Sequence, residues 1–198
     1  ELDLITAPCL IDLGATSLLL YTFREREYIL DIFEEISGQR MMTSYIRPGG
    51  VWYDVTENFL PMIRRFLWYM PRKIDDYEAI LTQNPILIER MQGIAVISPE
   101  KAIEWSLSGP MLRGSGINYD IRKAMPYSSY DHFEFDIPTY PGGDTYDRYR
   151  VRIDEMRQSL RIIEQAANNL PGGPWRTDNR KYVPPPRSEL GHSMESLI

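Results

Sequence analysis

Asp12 is the residue whose type and setting most clearly allow chemistry, because it lies within the otherwise apolar stretch from Ala7 to Leu20. A carboxylate is costly to bury without a partner, and perturbed buried carboxylates are frequent where protons are transferred. We therefore expect this stretch to be buried. Asp12 would serve either in proton chemistry or in a structural ion pair or hydrogen bond, and the residues alone leave both interpretations open.

A second candidate site is the run RMMTSYIRPGG, which begins at Arg40 and ends at Gly50. Its Pro-Gly-Gly element predicts a rigid turn, with Tyr45 and Arg47 close to it in sequence. A guanidinium held there could lie beside an electron carrier or an anionic group. The alternative is a turn whose arginines pair with carboxylates on the helices.

A third segment, Leu112–Arg122, is rich in glycine and resembles a nucleotide-binding loop only superficially. A dinucleotide fingerprint would need a third glycine where Tyr119 stands, and no Gly-Lys-Ser/Thr follows to make a phosphate-binding loop. We therefore interpret Arg113, Gly114 and Gly116 as parts of a structural loop locked by glycines and arginines.

The remaining reactive side chains do not form a recognisable metal or catalytic site. His132 and His192 are far apart and neither has a second ligand at metal-like spacing, so each is expected to be a surface or a hydrogen-bonding histidine. Cys9 is the single cysteine and is interpreted as a small buried apolar residue. The serines show no nucleophile-elbow pattern. We expect this chain to hold no metal and no cofactor of its own.

The composition is that of an ordinary folded protein with a length that suits about one domain. The 198 residues include 22 basic and 28 acidic side chains, a net charge of -6, and contain no basic run. This balance argues against nucleic acid as a partner. Apolar runs such as Thr16–Phe23 are much shorter than the ~20 residues that a membrane-spanning helix needs.

Arginine accounts for 18 of the 22 basic residues. Arginine is enriched at protein interfaces, where lysine is depleted, although the base composition of the source genome explains the bias equally well. The chain begins at Glu1, without an initiator methionine or a signal-peptide pattern. We expect it to be part of a longer protein.

Apolar periodicity predicts three long helices. The first covers most of the first forty residues and ends at a cap formed by Gly38. The second runs from about Glu57 to Leu81, with a kink or break expected at Pro71. The third runs from about Asp144 to Leu170 and carries a coiled-coil-like apolar seam.

Less regular structure is expected between and after these helices. Residues 40–55 predict a loop or short strand, and Ile94–Ile97 a short strand or buried extended piece, followed by Ser98 as a helix N-cap. Residues 108–143 predict a long irregular segment, and residues 171–198 an extended, proline-rich tail. The predicted fold class is mainly α, a helical bundle with this long irregular segment and minor β structure.

Eight short segments, spread in order along the whole chain, occur together in one protein family. They are IDLGA at 11–15, FRERE at 23–27, SGQRM at 37–41, YIRPGGV at 45–51, LRGSGINYD at 112–120, DRY at 147–149, RIDEMR at 152–157 and SMES at 193–196. Together they resemble the D subunit of proton-pumping NADH–quinone oxidoreductase, the bacterial counterpart of a core subunit of respiratory complex I. Family members are longer. Residues 1–198 are therefore expected to be the central helical part, without the family's N- and C-terminal portions.

The resemblance implies a fold related to the large subunit of nickel–iron hydrogenases, without its metal site. It implies that the chain packs against a neighbouring subunit carrying the terminal iron–sulfur cluster, with a quinone reduced in the cavity between them. Asp12 matches the aspartate of the quinone proton relay. The positions close to the quinone or the cluster would be Met42, Arg47, Pro48, Gly49 and Gly50.

The resemblance also implies that the whole complex uses NADH and couples electron transfer to proton translocation. The chain would be a peripheral-arm subunit at the cytoplasmic face of the bacterial cell membrane, and in isolation we expect it to be inactive. Two alternatives stay open: a subunit of a related ferredoxin- or deazaflavin-dependent quinone oxidoreductase, and a helical scaffold or interaction protein without a redox role.

Met42 departs from the family pattern, in which most members have a histidine at this position, near the terminal cluster. A thioether does not titrate, so the potential of the neighbour's cluster should depend weakly on pH or not at all. The departure is also consistent with a low-potential, menaquinone-type system or with a non-pumping paralogue.

Overall fold

The computed structural model describes residues 11, 12 and 14–198, so Cys9 lies outside the described residues. Helices make up about 53% of the chain and strands are few, which confirms the prediction of a mainly α fold. The helices are α1 (Thr16–Ser37), α2 (Phe59–Leu81), α3 (Pro85–Met91), α4 (Pro99–Glu104), α5 (Pro110–Arg113), α6 (Ile121–Ala124), α7 (Thr145–Asn168) and α8 (Met194–Leu197), with a 3-10 turn at Tyr130–His132 and strands β1 (Ile46–Arg47) and β2 (Gly50–Val51).

The described residues fall into two compact units. The first contains residues up to 27 together with Ile63–Asn169, and the second contains Tyr28–Met62 together with Leu170–Ile198. Helices α1 and α2 each contribute residues to both units. No helix within the described part of the chain is long and apolar enough to cross a membrane.

Helix α1 buries one stripe and leaves the rest of its surface exposed. Leu18 and Glu25 are buried, whereas Leu20 is 66% exposed. The expectation that Ala7–Leu20 is buried is therefore wrong for much of its described part, because a helix covers only the stripe that faces a packing partner.

Two predicted helix caps are present. The chain leaves α1 at Gly38, which adopts φ +73° and donates its amide hydrogen to the Glu34 carbonyl at 2.8 Å. Glycine adopts this left-handed conformation without strain, which makes it the preferred residue after a helix. Ser98 begins α4, where its side chain accepts a hydrogen bond from the Lys101 amide and Pro99 occupies the first turn.

Helix α2 continues through Pro71 without a break, and the kink that was the other expectation at this residue stays a prediction. Proline removes one backbone donor and disfavours a helix interior. Packing offsets this cost, since buried residues lie on both sides of Pro71 along one face of the helix. These residues are Phe66, Met70, Ile74, Tyr77 and Leu81.

Helix α7 confirms the predicted third helix, but its apolar seam is buried only in the first half. Tyr149, Ile153 and Met156 are at most 8% exposed, whereas Leu170, just after the helix, is 42% exposed. The first half of α7 therefore forms part of the core of the first unit.

The predicted strand at Ile94–Ile97 is absent. Val96 is 58% exposed and Ala95 adopts φ +52°, which is incompatible with an extended strand. The segment is a loop because its backbone hydrogen-bonds to the residues before α7, including a bond from the Ile97 amide to the Gly143 carbonyl at 2.9 Å. Residues 108–143 are largely irregular as predicted, with only the short helices α5 and α6 and one 3-10 turn.

Candidate functional site

The turn predicted around the Pro-Gly-Gly element is a β-hairpin in the second unit. Strands β1 and β2 pair antiparallel, with Ile46 opposite Val51 and Arg47 opposite Gly50. Only Pro48 and Gly49 then connect the strands, and Gly49 adopts φ +86°. Two-residue hairpins of this kind need a residue that tolerates positive φ, which explains the glycine.

The proline-rich C-terminal segment adds a third backbone to this hairpin. Arg176 forms an antiparallel bridge with Gly50, and the Val51 amide donates a hydrogen bond to the Trp175 carbonyl at 3.1 Å. We call residues 175–177 the strap. The segment 171–198 is thus tied to the hairpin near its start, and it ends in the short helix α8.

The strap lies so close to the hairpin that side chains would not fit at the two glycines. The Thr177 amide donates to the Gly49 carbonyl at 2.9 Å. A Cβ added to Gly49 would lie 3.0 Å from Cγ2 of Thr177 in the strap and 2.7 Å from Cγ2 of Val183 beyond it. One added to Gly50 would lie 2.8 Å from Cα of Arg176. The glycines therefore serve the backbone packing of the turn as well as its shape.

Arg47 is exposed but its side chain is held in place. The centre of its guanidinium lies 3.4 Å from the ring centroid of Trp52, and its Nε donates to the Ser44 carbonyl at 3.1 Å. Among the described residues, Arg47 has no carboxylate partner. The turn therefore presents a cation that the described part of the chain does not neutralise.

Arg40, the other arginine of this run, behaves differently. It forms ion pairs with Asp31 at 2.8 Å and Glu34 at 3.4 Å, both on α1. The alternative interpretation, in which the arginines of the turn pair with carboxylates on the helices, therefore holds for Arg40. It does not hold for Arg47 within the described part of the chain.

Apolar side chains near Arg47 in sequence are unusually exposed. Met42 is 79% exposed, Met41 61% and Ile46 86%. We call these three residues together with Arg47 the hairpin face. Methionine and arginine are among the residues that are enriched at protein interfaces.

Asp12 lies in the first unit and is exposed, contrary to the expectation of a buried carboxylate. The local chain is irregular, because Gly14 adopts φ +91° between the helical residues Ile11 and Asp12 and the start of α1. Leu13 lies outside the described residues. The carboxylate of Asp12 is therefore exposed, and it forms no ion pair with any of the described residues.

The arginine of the third candidate segment is buried in an ion network. Arg113, at the end of α5, is 6% exposed. Its Nε donates to Oε1 of Glu155 on α7 at 2.5 Å, its Nη1 donates to the Tyr119 carbonyl at 3.1 Å, and the same nitrogen lies 3.7 Å from Oδ2 of Asp120. We call Arg113, Asp120, Arg122 and Glu155 the Arg113 network.

The pKa values of the two carboxylates of the Arg113 network are shifted in opposite directions. Burial raises the pKa of Glu155 above its usual range despite the facing guanidinium of Arg113. Burial also opposes ionisation of Asp120, but hydrogen bonds and charge from Arg122 together lower the pKa of Asp120. Asp120 also caps α6 by accepting a hydrogen bond from the Arg122 amide at 2.9 Å.

Gly114 allows the same segment to pack closely on α7. A Cβ at Gly114 would lie 2.8 Å from Cγ of Arg148 and 3.0 Å from the Pro110 carbonyl. Arg148 is itself buried and donates to the carbonyls of Gly143 at 2.8 Å and Ala95 at 3.0 Å. Its burial lowers the pKa of the guanidinium. Arg113 and Arg148 therefore hold irregular segments of the chain in contact with α7.

The family described as "Respiratory-chain NADH dehydrogenase, 49 Kd subunit" matches residues 12–198. The chain belongs to this family. It is similar to an NADH-quinone oxidoreductase D subunit of Chloroflexus aurantiacus, at 54% identity over 95% of this chain and 46% of the relative. It is also similar to the D subunit of the Thermus thermophilus enzyme, at 51% identity over 96% of this chain and 46% of the relative. A third relative is the D subunit from the Wolbachia of Brugia malayi, at 47% identity over 95% of this chain and 48% of the relative.

This member of the 49 Kd subunit family spans about half the length of the curated relatives it matches. Both candidate segments, the hairpin and the Arg113 network, lie within the matched residues. In the described part of the chain, no group of three or more histidine, cysteine, aspartate or glutamate side chains could hold a metal ion. His132 and His192 are exposed, which agrees with the expectation of surface histidines.

Glu25 is a buried charged residue that the sequence reasoning did not single out. It is 0% exposed and accepts hydrogen bonds from Arg24 at 2.5 and 3.0 Å. Burial and a hydrogen bond to Glu25 raise the pKa of the Tyr69 hydroxyl. The signal was present, since Glu25 continues the helical spacing of the buried Leu18.

Proposed function

We propose that this chain acts within a membrane-bound NADH–quinone oxidoreductase, where it contributes to the quinone-reduction cavity beside a neighbouring subunit's iron–sulfur cluster. The observation that carries the proposal is the hairpin face, in which exposed apolar side chains lie close in sequence to an arginine that is stacked on Trp52 and has no carboxylate partner among the described residues. Arg47 would stabilise negative charge that develops near it when an electron arrives. Family membership and the names of the similar proteins support the same assignment.

Asp12 would hold and transfer a proton during quinone reduction. A quinone takes up two electrons and two protons to become a quinol, so a carboxylate that exchanges protons at the cavity would act as a general acid and then be reprotonated. Burial does not support this role, since Asp12 is exposed. The role rests on the match of Asp12 to the aspartate of the family's quinone proton relay.

The chain itself would bind no metal or nicotinamide cofactor. NADH would be used by other subunits of the complex, the iron–sulfur cluster would belong to the neighbour that covers the hairpin face, and quinone would bind at the interface. Coupling to proton translocation would be a property of the whole complex. The chain would lie at the cytoplasmic face of the bacterial cell membrane as a peripheral subunit.

The test is Asp12→Asn in the whole complex, with quinone reductase activity and subunit assembly measured together. Loss of a general acid should lower the turnover number by about 100-fold or more, while assembly stays normal. Asp131→Asn is the matched control, because Asp131 is an exposed aspartate of the same unit as Asp12. Unchanged activity in the Asp12 variant with normal assembly would instead support a scaffold without a redox role.

The remaining alternative is a ferredoxin- or deazaflavin-dependent quinone oxidoreductase. The identity of the electron-input subunits that copurify with the complex distinguishes it from an NADH-dependent enzyme. Subunits that oxidise NADH support the proposal. Their replacement by ferredoxin- or deazaflavin-oxidising subunits would assign the chain to the related class of quinone oxidoreductases.

A further inference from the structure

The exposed side chain of Arg47 makes contacts at both its guanidinium plane and its Nε. A long, flexible side chain loses rotamer freedom when it is held, so an exposed arginine stays fixed only where several contacts act together. Arg47 has two such contacts within its own hairpin, one to an aromatic face and one to a backbone carbonyl. Among the described residues they leave its terminal Nη groups without acceptors.

The aromatic contact comes from Trp52, directly after β2. A guanidinium within ~6 Å of a tryptophan centroid is attracted by the ring's electrons, and here the distance is 3.4 Å. Trp52 is fixed in turn, because its amide donates to the Tyr45 carbonyl at 2.8 Å and its ring meets Tyr53 edge-on at 5.2 Å. The Tyr45 hydroxyl donates to the Tyr53 carbonyl at 2.8 Å and closes this arrangement.

The carbonyl contact comes from Ser44, which has a strained backbone. Ser44 adopts φ +41°, a conformation that non-glycine residues rarely occupy. Such strain persists when surrounding contacts determine the conformation, and it occurs frequently at functional sites. Here it is accompanied by the hydrogen bond from Arg47 Nε to the Ser44 carbonyl at 3.1 Å.

We propose that Trp52 is a positioning residue for Arg47. It holds the guanidinium in the orientation that presents its Nη groups, which have no acceptor among the described residues, to an anionic or carbonyl group of the neighbouring subunit. The inference rests on the proposed function, because it assigns Trp52 an effect on electron and quinone chemistry only through Arg47. Holding the guanidinium before binding lowers the entropy cost of that contact. Stacking and one hydrogen bond fix the side chain without neutralising its charge.

The chain offers a matched control for this pair. Trp68 on α2 is 62% exposed and lies 4.3 Å from the guanidinium of Arg72. The same chemistry therefore occurs on a helix surface for which no functional role is proposed. A general effect of removing a surface tryptophan would appear equally at Trp68.

The test compares Trp52→Leu, Trp52→Phe, Trp68→Leu and Arg47→Gln in the assembled complex. The readouts are the KM for quinone, the turnover number and the electron paramagnetic resonance spectrum of the neighbour's cluster. Trp52→Leu should reproduce the direction of the Arg47→Gln effects at a smaller size, about a two- to fivefold change in KM or turnover. Trp52→Phe should retain most of the wild-type behaviour, and Trp68→Leu all of it.

A double variant makes the dependence on Arg47 explicit. If Trp52 acts through Arg47, then Arg47→Gln combined with Trp52→Leu should be no worse than Arg47→Gln alone. Wild-type behaviour of Trp52→Leu beside a defective Arg47→Gln overturns the positioning role and leaves the proposed function intact. Wild-type behaviour of Arg47→Gln overturns both. If Trp52→Leu does not assemble, Trp52→Gln, which keeps a polar planar group without an aromatic face, takes its place with the same expectation.

Discussion

The hairpin and the Arg113 network both combine arginine with glycine, yet they use the arginine in opposite ways. Arg113 is 6% exposed and surrounded by two carboxylates and a backbone carbonyl. Arg47 is exposed and stacked on a tryptophan, and no carboxylate in the described part of the chain pairs with it. The sequence patterns of the two regions, Arg-Gly-Ser-Gly at Arg113 and Arg-Pro-Gly-Gly at Arg47, differ much less than the surroundings of the two arginines.

The difference shows what separates a structural arginine from one available to a partner. A buried guanidinium must be neutralised and hydrogen-bonded by the chain that buries it, so its binding capacity is used internally. An exposed guanidinium such as that of Arg47, held by stacking and by one hydrogen bond from its Nε, keeps its charge and its terminal Nη donors. In this chain, the surroundings of an arginine therefore indicate its role better than the motif that contains it.

The largest expected contrast is between removing the two arginines. Arg113→Met should lower the free energy of unfolding by about 3–5 kcal/mol, because it leaves Glu155 and Asp120 buried beside fewer positive charges. Arg47→Met should lower it by less than about 1 kcal/mol, since only an exposed stacking contact is lost. Urea unfolding followed by circular dichroism measures both, and equal losses would contradict the distinction.

A smaller effect is expected from adding one methyl group at Gly114. Gly114→Ala should destabilise the chain by about 1–3 kcal/mol, because the new Cβ would meet Cγ of Arg148 at 2.8 Å. Gly172→Ala is the control, as nothing lies within 4 Å of a Cβ built there. If thermal unfolding shows the two variants to be equally stable, the close packing of this segment on α7 is not important for stability.

The smallest expected effect is a pair of opposite pH dependences within the Arg113 network. The lowered pKa of Asp120 means that its stabilising contribution is present above pH 3.8, the unfolded value, and is lost as pH falls through the folded value. The raised pKa of Glu155 means that stability decreases as pH rises from 4.5 through its folded value. The stability cost of Asp120→Asn should therefore shrink below pH 3.8. The stability of Glu155→Gln relative to wild type should increase as pH rises above 4.5. Stability differences that change in the same direction with pH in both variants would contradict this prediction.

Much of the fold could be predicted because it depends on local patterns. Apolar spacing located α1, α2 and α7, and cap chemistry located Gly38 and Ser98. The predictions failed where distant contacts decide the outcome. The segment Ile94–Ile97, predicted as a strand or buried extended piece, is an exposed loop whose backbone bonds to residues near the start of α7.

The candidate site could be predicted in part for the same reason. The Pro-Gly-Gly element fixed the position of the turn around Arg47. The strap at residues 175–177 could not be predicted, because it is more than 120 positions away in the sequence. Likewise, Arg113 and Glu155 are 42 positions apart, and nothing local distinguishes a guanidinium that finds a buried carboxylate from one that does not.

The most direct test of the outward-facing hairpin is a redox titration of the neighbour's iron–sulfur cluster at several pH values. Met42 lies on the hairpin face and is 79% exposed, and its thioether cannot take up a proton when the cluster is reduced. We expect a midpoint potential that changes little with pH in the wild-type complex, and a clear pH dependence in Met42→His. A wild-type slope near one proton per electron, about 59 mV per pH unit, would contradict this role of the hairpin face.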